Sequence, residues 1–241
     1  MNEYELQAYK EIEEWKQKLL KKSGMLNRLS KKAQTKVNSL IPEKAHQILT
    51  DSIKKMVKAT LVGSNLTTRK KQFTGHSLKE MDKQFSEKFS SYKKTAIIEG
   101  AGTGAGGFIL GLADFPLLLT IKMKFLFEAA AIYGFDTDEY EERLFLLHVF
   151  KLAFSSDEKR RATFGIVEEW DARKAEIAEM DWREFQQEYR DYIDFVKMLQ
   201  LVPGIGAAVG AFANNNLMEH LGETAKNAYR MRVLKTAPKL Y

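Results

Sequence analysis

Apolar residues recur at intervals of three or four positions along most of this chain. In the first 98 residues they form three stripes, separated by Pro42 and by a polar, turn-rich stretch from 63 to 77. The stripes are Ile12, Trp15, Leu19, Leu26, Leu29, Ala33, Val37 and Leu40, then Ile48, Leu49, Ile53, Met56, Val57 and Leu61, then Leu78, Met81, Phe85, Phe89, Tyr92 and Ala96. Because this spacing marks one face of an α-helix, it predicts three amphipathic helices.

The second half of the chain predicts further helices, bounded by capping and breaking residues. Asp114 followed by Pro116 suits the start of a helix, and Gly134 suits its end. We expect four later helices. The first is capped by Thr137 or Asp138, and the second is one long helix from Ser155–Ser156 to Met180. The third is capped by Asp181, and the fourth runs from Pro203–Gly204 towards Leu234. No run alternates as a strand would, so the predicted fold class is all-α, a multi-helix bundle.

Two glycine-rich segments share the pattern G-x-G-x-x-x-G-x-F at a constant offset. Its positions are Gly100, Gly102, Gly106 and Phe108 in the first copy, and Gly204, Gly206, Gly210 and Phe212 in the second. Small residues four apart allow helices to approach closely, in a soluble bundle or in a membrane. The pattern predicts two Gly-rich helical hairpins, at 100–134 and 203–235, related by a weak internal pseudo-repeat. They would form either a close-packed core or a lipid-facing groove.

A ligand site is the alternative interpretation of these glycines. Residues 102–107 satisfy G-x-G-x-x-G, which in a dinucleotide-binding fold lets backbone N–H groups approach a pyrophosphate. Glu99, Pro116 and the absence of a βαβ succession argue against that fold. A site for a lipid or a phosphorylated ligand near 100–114 stays open, with an enzyme as one version of it. Its candidate residues are Gly100, Gly102, Gly104, Gly107, Asp114, Gly204, Gly206 and Gly210.

Charge is distributed unevenly along the 241 residues, whose formal net charge is +6. Residues 1–98 carry 21 Lys or Arg and 10 Asp or Glu, whereas the remainder of the chain is net acidic. A basic half of this kind indicates an anionic partner, either nucleic acid or a membrane surface. The N-terminus lacks the apolar core of a secretory signal, and glycines, Asp114 and Pro116 interrupt the nearly uncharged stretch 100–121 as a straight membrane span.

The basic charges concentrate between 16 and 36, where eight Lys or Arg occur without an acidic residue. Trp15 and several leucines alternate with them, which is typical of a cationic amphipathic helix at a lipid surface. We therefore predict contact with an anionic membrane surface. The predicted contact residues are Trp15, Lys16, Lys18, Lys21, Lys22, Arg28, Lys31, Lys32, Lys36, Arg69, Lys70 and Lys71. Nucleic acid is disfavoured, because no helix-turn-helix, RRM or KH signature is present.

No catalytic signature stands out, and a non-enzymatic role is favoured. With no Cys the chain has no thiolate nucleophile and no zinc–thiolate site. The four histidines lack ligand spacing, so we predict no metal and no cofactor, and we expect His148 to be a core residue. The carboxylates at Glu139, Glu141 and Glu142 fit solvated helix faces.

Three segments resemble the bacterial EcsC family: Glu99–Leu119 (EGAGTGAGGFILGLADFPLLL), Ile132–Asp136 (IYGFD) and Val202–Ala211 (VPGIGAAVGA). The resemblance extends from about Trp15 to about Leu234. Within a single domain we distinguish a basic amphipathic region at 1–62, a polar loop at 63–77 and a helical core at 78–241.

The resemblance implies a role but no catalytic residues. Proteins of this kind are encoded beside an ATP-binding cassette (ABC) transporter and are connected with protein secretion and membrane proteolysis. It implies a cytoplasmic helper at the inner face of the cell membrane, with an ABC transporter or another membrane protein as its partner.

Overall fold

The computed structural model describes residues 2–21, 43–63, 73–104, 115–155, 157–178 and 206–234. Within these ranges the chain forms eight α-helices and no strand, so the predicted all-α class is confirmed. The helices are α1 (Glu3–Leu20), α2 (Glu43–Val62), α3 (Leu78–Gly104), α4 (Phe115–Ile132), α5 (Tyr140–Phe154), α6 (Asp157–Glu168), α7 (Trp170–Ala178) and α8 (Gly206–Leu234).

The apolar stripes read from the sequence face the core wherever the structure describes their side chains. The buried members are Ile12, Trp15, Leu19, Ile53, Met56, Val57, Leu61, Leu78, Met81, Phe85 and Ala96. The predicted stripe members from Leu26 to Leu40 lie outside the described residues. Helices α4 and α5 are buried on nearly every side and form the centre of the bundle. Their sequences explain this, since a helix that is apolar all round has no face to present to water.

Helix α8 packs along α3 in antiparallel register. Asp82 of α3 binds Arg230 of α8, the ring of Phe89 lies against Gly222, and Lys93 pairs with Glu219. Helix α8 also contacts α1, α4, α5 and α6, so it links the first helix to the middle of the chain. Helix α4 returns antiparallel to α3, and its Phe125 ring packs against three aromatic rings of that helix, Phe85, Phe89 and Tyr92.

Two arginines near the end of α8 hold the surrounding helices together by buried ion pairs. Arg230 binds Asp82 of α3 at 2.7 Å and Glu11 of α1 at 2.7 Å. Arg232 binds Glu142 of α5 at 2.7 Å. Because positions two apart on a helix point to opposite sides, the two guanidinium groups reach different sets of neighbours. Glu142 is 3% exposed, so the prediction that it belongs to a solvated face is wrong.

Helix boundaries follow local chemistry in most places. Gly134 follows α4 with φ +84°, a conformation that favours glycine, as predicted for the end of this helix. The N-cap of α5 is Glu139, one residue beyond the predicted Asp138, and it makes no side-chain capping bond. The predicted long charged helix from Ser155–Ser156 is broken at Glu169, where α6 gives way to α7 and Trp170 enters the core. Asp114 and Asp181 lie outside the described residues.

Candidate functional site

The first predicted membrane-contact residues lie on α1, and the structure gives them different roles. Trp15 is 5% exposed and its ring contacts Phe164 at a centroid distance of 6.0 Å, which makes it a core residue. Lys16 pairs with Glu13 at 3.0 Å and with Glu168 at 2.8 Å. Burial lowers the pKa of Lys16, but these two carboxylates outweigh it and hold the pKa above its ordinary value.

The remaining residues of that set are exposed or lie outside the described ranges. Lys18 is exposed and lies 3.6 Å from Glu223, and Lys21 is exposed at the C-cap of α1. Over residues 2–21 the chain carries five Glu and four Lys, so α1 itself is not basic. The residues outside the described ranges are Lys22, Arg28, Lys31, Lys32, Lys36, Arg69, Lys70 and Lys71.

Helix α2 presents a cationic surface that the sequence analysis did not single out. Its buried side, which includes Ile53 and Val57, belongs to the core, and the helix packs against α4 and α5. On the opposite side Lys54, Lys55 and Lys58 are exposed. Val62, one turn after Lys58, is 69% exposed. We call these four residues, Lys54, Lys55, Lys58 and Val62, the lysine face.

The lysine face carries a net positive charge. Among the described residues no carboxylate lies within 4 Å of the ammonium groups of Lys54, Lys55 or Lys58. Asp51, also exposed, lies one turn earlier on the same side of α2, which leaves the face with a net charge of about +2. A signal for this surface was present in the sequence, because these lysines alternate with the apolar positions that predicted the stripe.

Arg143 of α5 fixes the end of α2 that carries Val62. Its Nε donates to the carbonyl oxygen of Leu61 at 3.0 Å, and its Nη1 donates to the carbonyl oxygens of Thr137 at 2.9 Å and Asp138 at 2.7 Å. A guanidinium at the C-terminus of a helix also complements the helix dipole. The lysine face is therefore held in one orientation relative to the bundle rather than carried on a free segment.

The predicted glycine residues fall at the ends of two helices where these are described. Gly100, Gly102 and Gly104 lie in the last turns of α3, and Gly206 and Gly210 lie in the first turns of α8. Because α3 is helical from Leu78 through Gly104, no strand precedes these glycines, and the dinucleotide fingerprint lacks its strand–turn–helix context.

The ligand site proposed near 100–114 stays a prediction, as does the pseudo-repeat. Its members that fall outside the described residues are Gly107, Asp114 and Gly204.

Three ionisable groups of the described ranges, His148, Glu142 and Tyr229, are buried inside the bundle. His148 is 3% exposed, as expected for a core histidine, and its ring lies 5.4 Å from that of Trp170. Burial, followed by the charge of Lys151, lowers the pKa of His148 to about 3. Tyr229 donates to Glu142 at 2.9 Å, and burial raises the pKa of its hydroxyl well above the ordinary value. No group of three His, Asp or Glu side chains within these ranges is placed to bind a metal ion.

Among the described residues, no helix combines the length and the hydropathy that are needed to cross a membrane.

Comparison with known proteins places the whole chain in one family. The model of the EcsC protein family matches residues 6–234. Protein EcsC of Bacillus subtilis (strain 168) is 54% identical over 222 residues, which cover 92% of this chain and 93% of that protein. The uncharacterized protein YdbA of Bacillus subtilis (strain 168) is 26% identical over 249 residues, covering 94% of this chain and 91% of that protein. No solved structure matches. The chain therefore belongs to the EcsC protein family.

Proposed function

We propose that this protein is a non-enzymatic, peripheral protein of the inner membrane face, which contacts anionic lipid through its lysine face and works beside an ABC-type exporter. The observation that carries the proposal is the row Lys54, Lys55 and Lys58, exposed together and free of carboxylate partners in the described ranges. Family membership supports the exporter part, because the sequence resemblance connects such proteins with an ABC transporter.

The lysine face suits a lipid surface better than the residues first predicted on α1. Each Lys or Arg near an anionic bilayer contributes about 1 kcal/mol, so three lysines supply about 3 kcal/mol, roughly a hundredfold in partitioning. Lys16 offers less, because two carboxylates already neutralise it. The apolar side of α2 is buried in the bundle, so the attraction is electrostatic and should weaken as salt shortens the screening length.

Sedimentation with lipid vesicles tests the membrane part of the proposal. Vesicles of phosphatidylcholine with and without phosphatidylglycerol would be mixed with the wild type and with the K54E/K55E/K58E variant. We expect wild-type binding only with phosphatidylglycerol, reversal by high salt, and at least a tenfold loss in the variant.

A matched control variant separates the effect of the lysine face from the effect of the protein's net charge. The K10E/K94E/K174E variant reverses three exposed lysines on α1, α3 and α7, and it changes the net charge by the same amount. It should bind almost as the wild type does. Equal binding by both triple variants would refute the lysine face as the contact surface. A K21E/K22E/K31E/K32E variant measures the share of the basic segment predicted from the sequence.

The exporter part has its own experiment. The full-length protein and an ABC exporter from the same cells would be purified together from detergent-solubilised membranes, with an unrelated membrane protein as control. Association with the exporter that survives in the K54E/K55E/K58E variant would separate partner binding from lipid binding. Failure of association in every condition would remove the exporter from the proposal.

A further inference from the structure

An open groove lies between α3 and α8, away from the lysine face. Its volume is about 530 Å³, and its lining includes Phe85, Phe89, Glu219, Gly222, Glu223 and Lys226. Small-molecule sites in proteins fall at about 300–1,000 Å³, so the groove has the size of a ligand site. The groove is formed by α3 and α8, which pack against each other more extensively than any other pair of described helices. We therefore expect its shape to be maintained by the fold.

The base of the groove is apolar because Gly222 has no side chain. The Phe89 ring lies against the backbone of α8 at this point, and a Cβ atom on Gly222 would come within 2.3 Å of its Cε2 atom. Phe85 continues the aromatic surface, since its ring is parallel to that of Phe89 at a centroid distance of 6.2 Å. An alkyl chain placed here would contact the Phe89 ring at the apolar base of the groove.

Charge at the rim is balanced except at one residue. Glu219 pairs with Lys93, and Glu223 lies 3.6 Å from Lys18. Lys226, one helical turn beyond Gly222, is half-buried in the lining and makes no hydrogen bond or ion pair with the described residues. Within the described ranges, the groove therefore holds one ammonium group without an ion-pair partner beside two aromatic rings.

The charged groups around Lys226 do not supply a partner for it. Asp82 and Glu11 are the carboxylates whose charges act on Lys226, and both are bound by Arg230. Burial, followed by the charge of Arg230, lowers the pKa of Lys226 below its ordinary value. An anion in the groove would supply the missing counter-charge to this half-buried ammonium.

We infer that this groove binds a small amphipathic anion, an alkyl carboxylate or an alkyl phosphate, with its chain on Phe85 and Phe89 and its head group on Lys226. The head could be that of a fatty acid or of a phosphate monoester, and both present the same chemistry to the ammonium. The site does not depend on the lysine face or on contact with a bilayer.

Calorimetric titration of the full-length protein tests the inference. Decanoate, decyl phosphate and decyltrimethylammonium would be used below their micelle concentrations, with acetate and inorganic phosphate as head groups alone. We expect one of the two anionic amphiphiles or both to bind, and the cation with the same chain and the head groups alone to bind at least tenfold more weakly. The anion that binds with the higher affinity shows whether the site prefers a carboxylate or a phosphate head group.

Three variants connect binding to the groove. K226M removes the ammonium while keeping a side chain of similar length, and we expect it to weaken anion binding at least tenfold. N216W places a bulky ring at the exposed rim and should block binding, whereas K94M removes an exposed lysine outside the lining and should leave binding unchanged. Circular dichroism would check that each variant is folded.

Two results would overturn the inference. Equal affinity for the cationic and anionic amphiphiles, or absence of binding by all of them, would exclude an anion site in the groove. Unchanged affinity in folded K226M would exclude the head-group contact. The K54E/K55E/K58E variant should bind the soluble anions as the wild type does, so failure of the membrane proposal and failure of this one are distinguishable.

Discussion

Replacing Arg230 by Met should destabilise the fold more than a surface substitution can. Arg230 is 3% exposed, and its Nε and Nη2 atoms donate to the Asp82 carboxylate over 2.7–3.1 Å. Without the guanidinium, the hydrogen bonds left to the buried carboxylate from the described residues are those of the Tyr4 and Tyr133 hydroxyl groups. Removing one partner of a buried ion pair costs about 3–5 kcal/mol, because the other charge stays in the interior.

The expected effect is large enough for a simple thermal assay. For a chain of this size each kcal/mol shifts the melting temperature by about 2–4 °C, so R230M should melt about 6–20 °C below the wild type. Circular dichroism at the helix band would follow the melting, and urea unfolding would supply the free energy. The matched control is R161M, which removes an exposed arginine and should change stability by less than about 0.5 kcal/mol.

A double variant separates an uncompensated charge from lost packing. In R230M/D82L both members of the pair are apolar. The double variant therefore has no unpaired buried carboxylate, but it still lacks the packing contacts of the Arg230 side chain. We expect the double variant to be at least about 1 kcal/mol more stable than R230M, a non-additive result typical of coupled residues. A double variant as unstable as the sum of its single changes would refute the reasoning, as would a loss below about 1 kcal/mol in R230M.

Three further predictions concern other parts of the bundle. Gly222→Ala should lower the free energy of unfolding measured in urea. Overpacking of the new methyl group on Phe89 costs about 1–3 kcal/mol, more than the gain of about 1 kcal/mol in helix propensity. A more stable variant would contradict this. The pKa of buried His148 is about 3, so only the unfolded chain takes up this proton as the pH falls below 6.5, and stability should fall by up to about 1.4 kcal/mol per pH unit. His148→Leu should flatten that slope between pH 6.5 and 5 in unfolding measurements, and an unchanged slope would assign the loss to other groups. Arg143→Met should speed hydrogen exchange in the last turn of α2, since the Leu61 carbonyl loses its donor, while exchange in α1 stays as in the wild type.

The helices and their buried faces could be predicted because they depend on local patterns. The periodicity that included Ile53, Val57 and Leu61 marks a buried face, and these residues are buried in the structure. Gly134 marks a helix end because its left-handed backbone favours glycine, whichever segments pack nearby. In both cases the information lies within a few residues of the position concerned.

The pairing of buried charges could not be predicted, because the partners are far apart in the chain. Asp82 and Arg230 are separated by 148 positions, and Glu142 and Arg232 by 90. Each of them follows the pattern of an ordinary charge on an amphipathic helix, so Glu142 was assigned to a solvated face. The break at Glu169 was missed for a related reason, since helix-forming residues surround it and the burial of Trp170 is a tertiary effect.

The candidate surface lies in the basic half of the chain, but its residues are not among those named from the sequence. The uneven charge indicated an anionic partner on the basic half of the chain, and the lysine face lies in that half. The contacts of Trp15 with Phe164 and of Lys16 with Glu168 join residues about 150 positions apart, so the local pattern around Trp15 and Lys16 carries no sign of them. Exposed lysines can be separated from paired ones only when the distant carboxylates are known.

The position of α8 has a consequence for how the chain is made. The carboxylates of α1, α3, α5 and α7 bind two arginines on a helix that the ribosome delivers after all of them. Until Arg230 and Arg232 emerge, the nascent chain has to hold Asp82 and Glu142 in water, with the apolar faces beside them still uncovered. The native packing around Asp82 and Glu142 can therefore form only after Arg230 and Arg232 have left the ribosome, which places this step late in the synthesis of the described part of the chain.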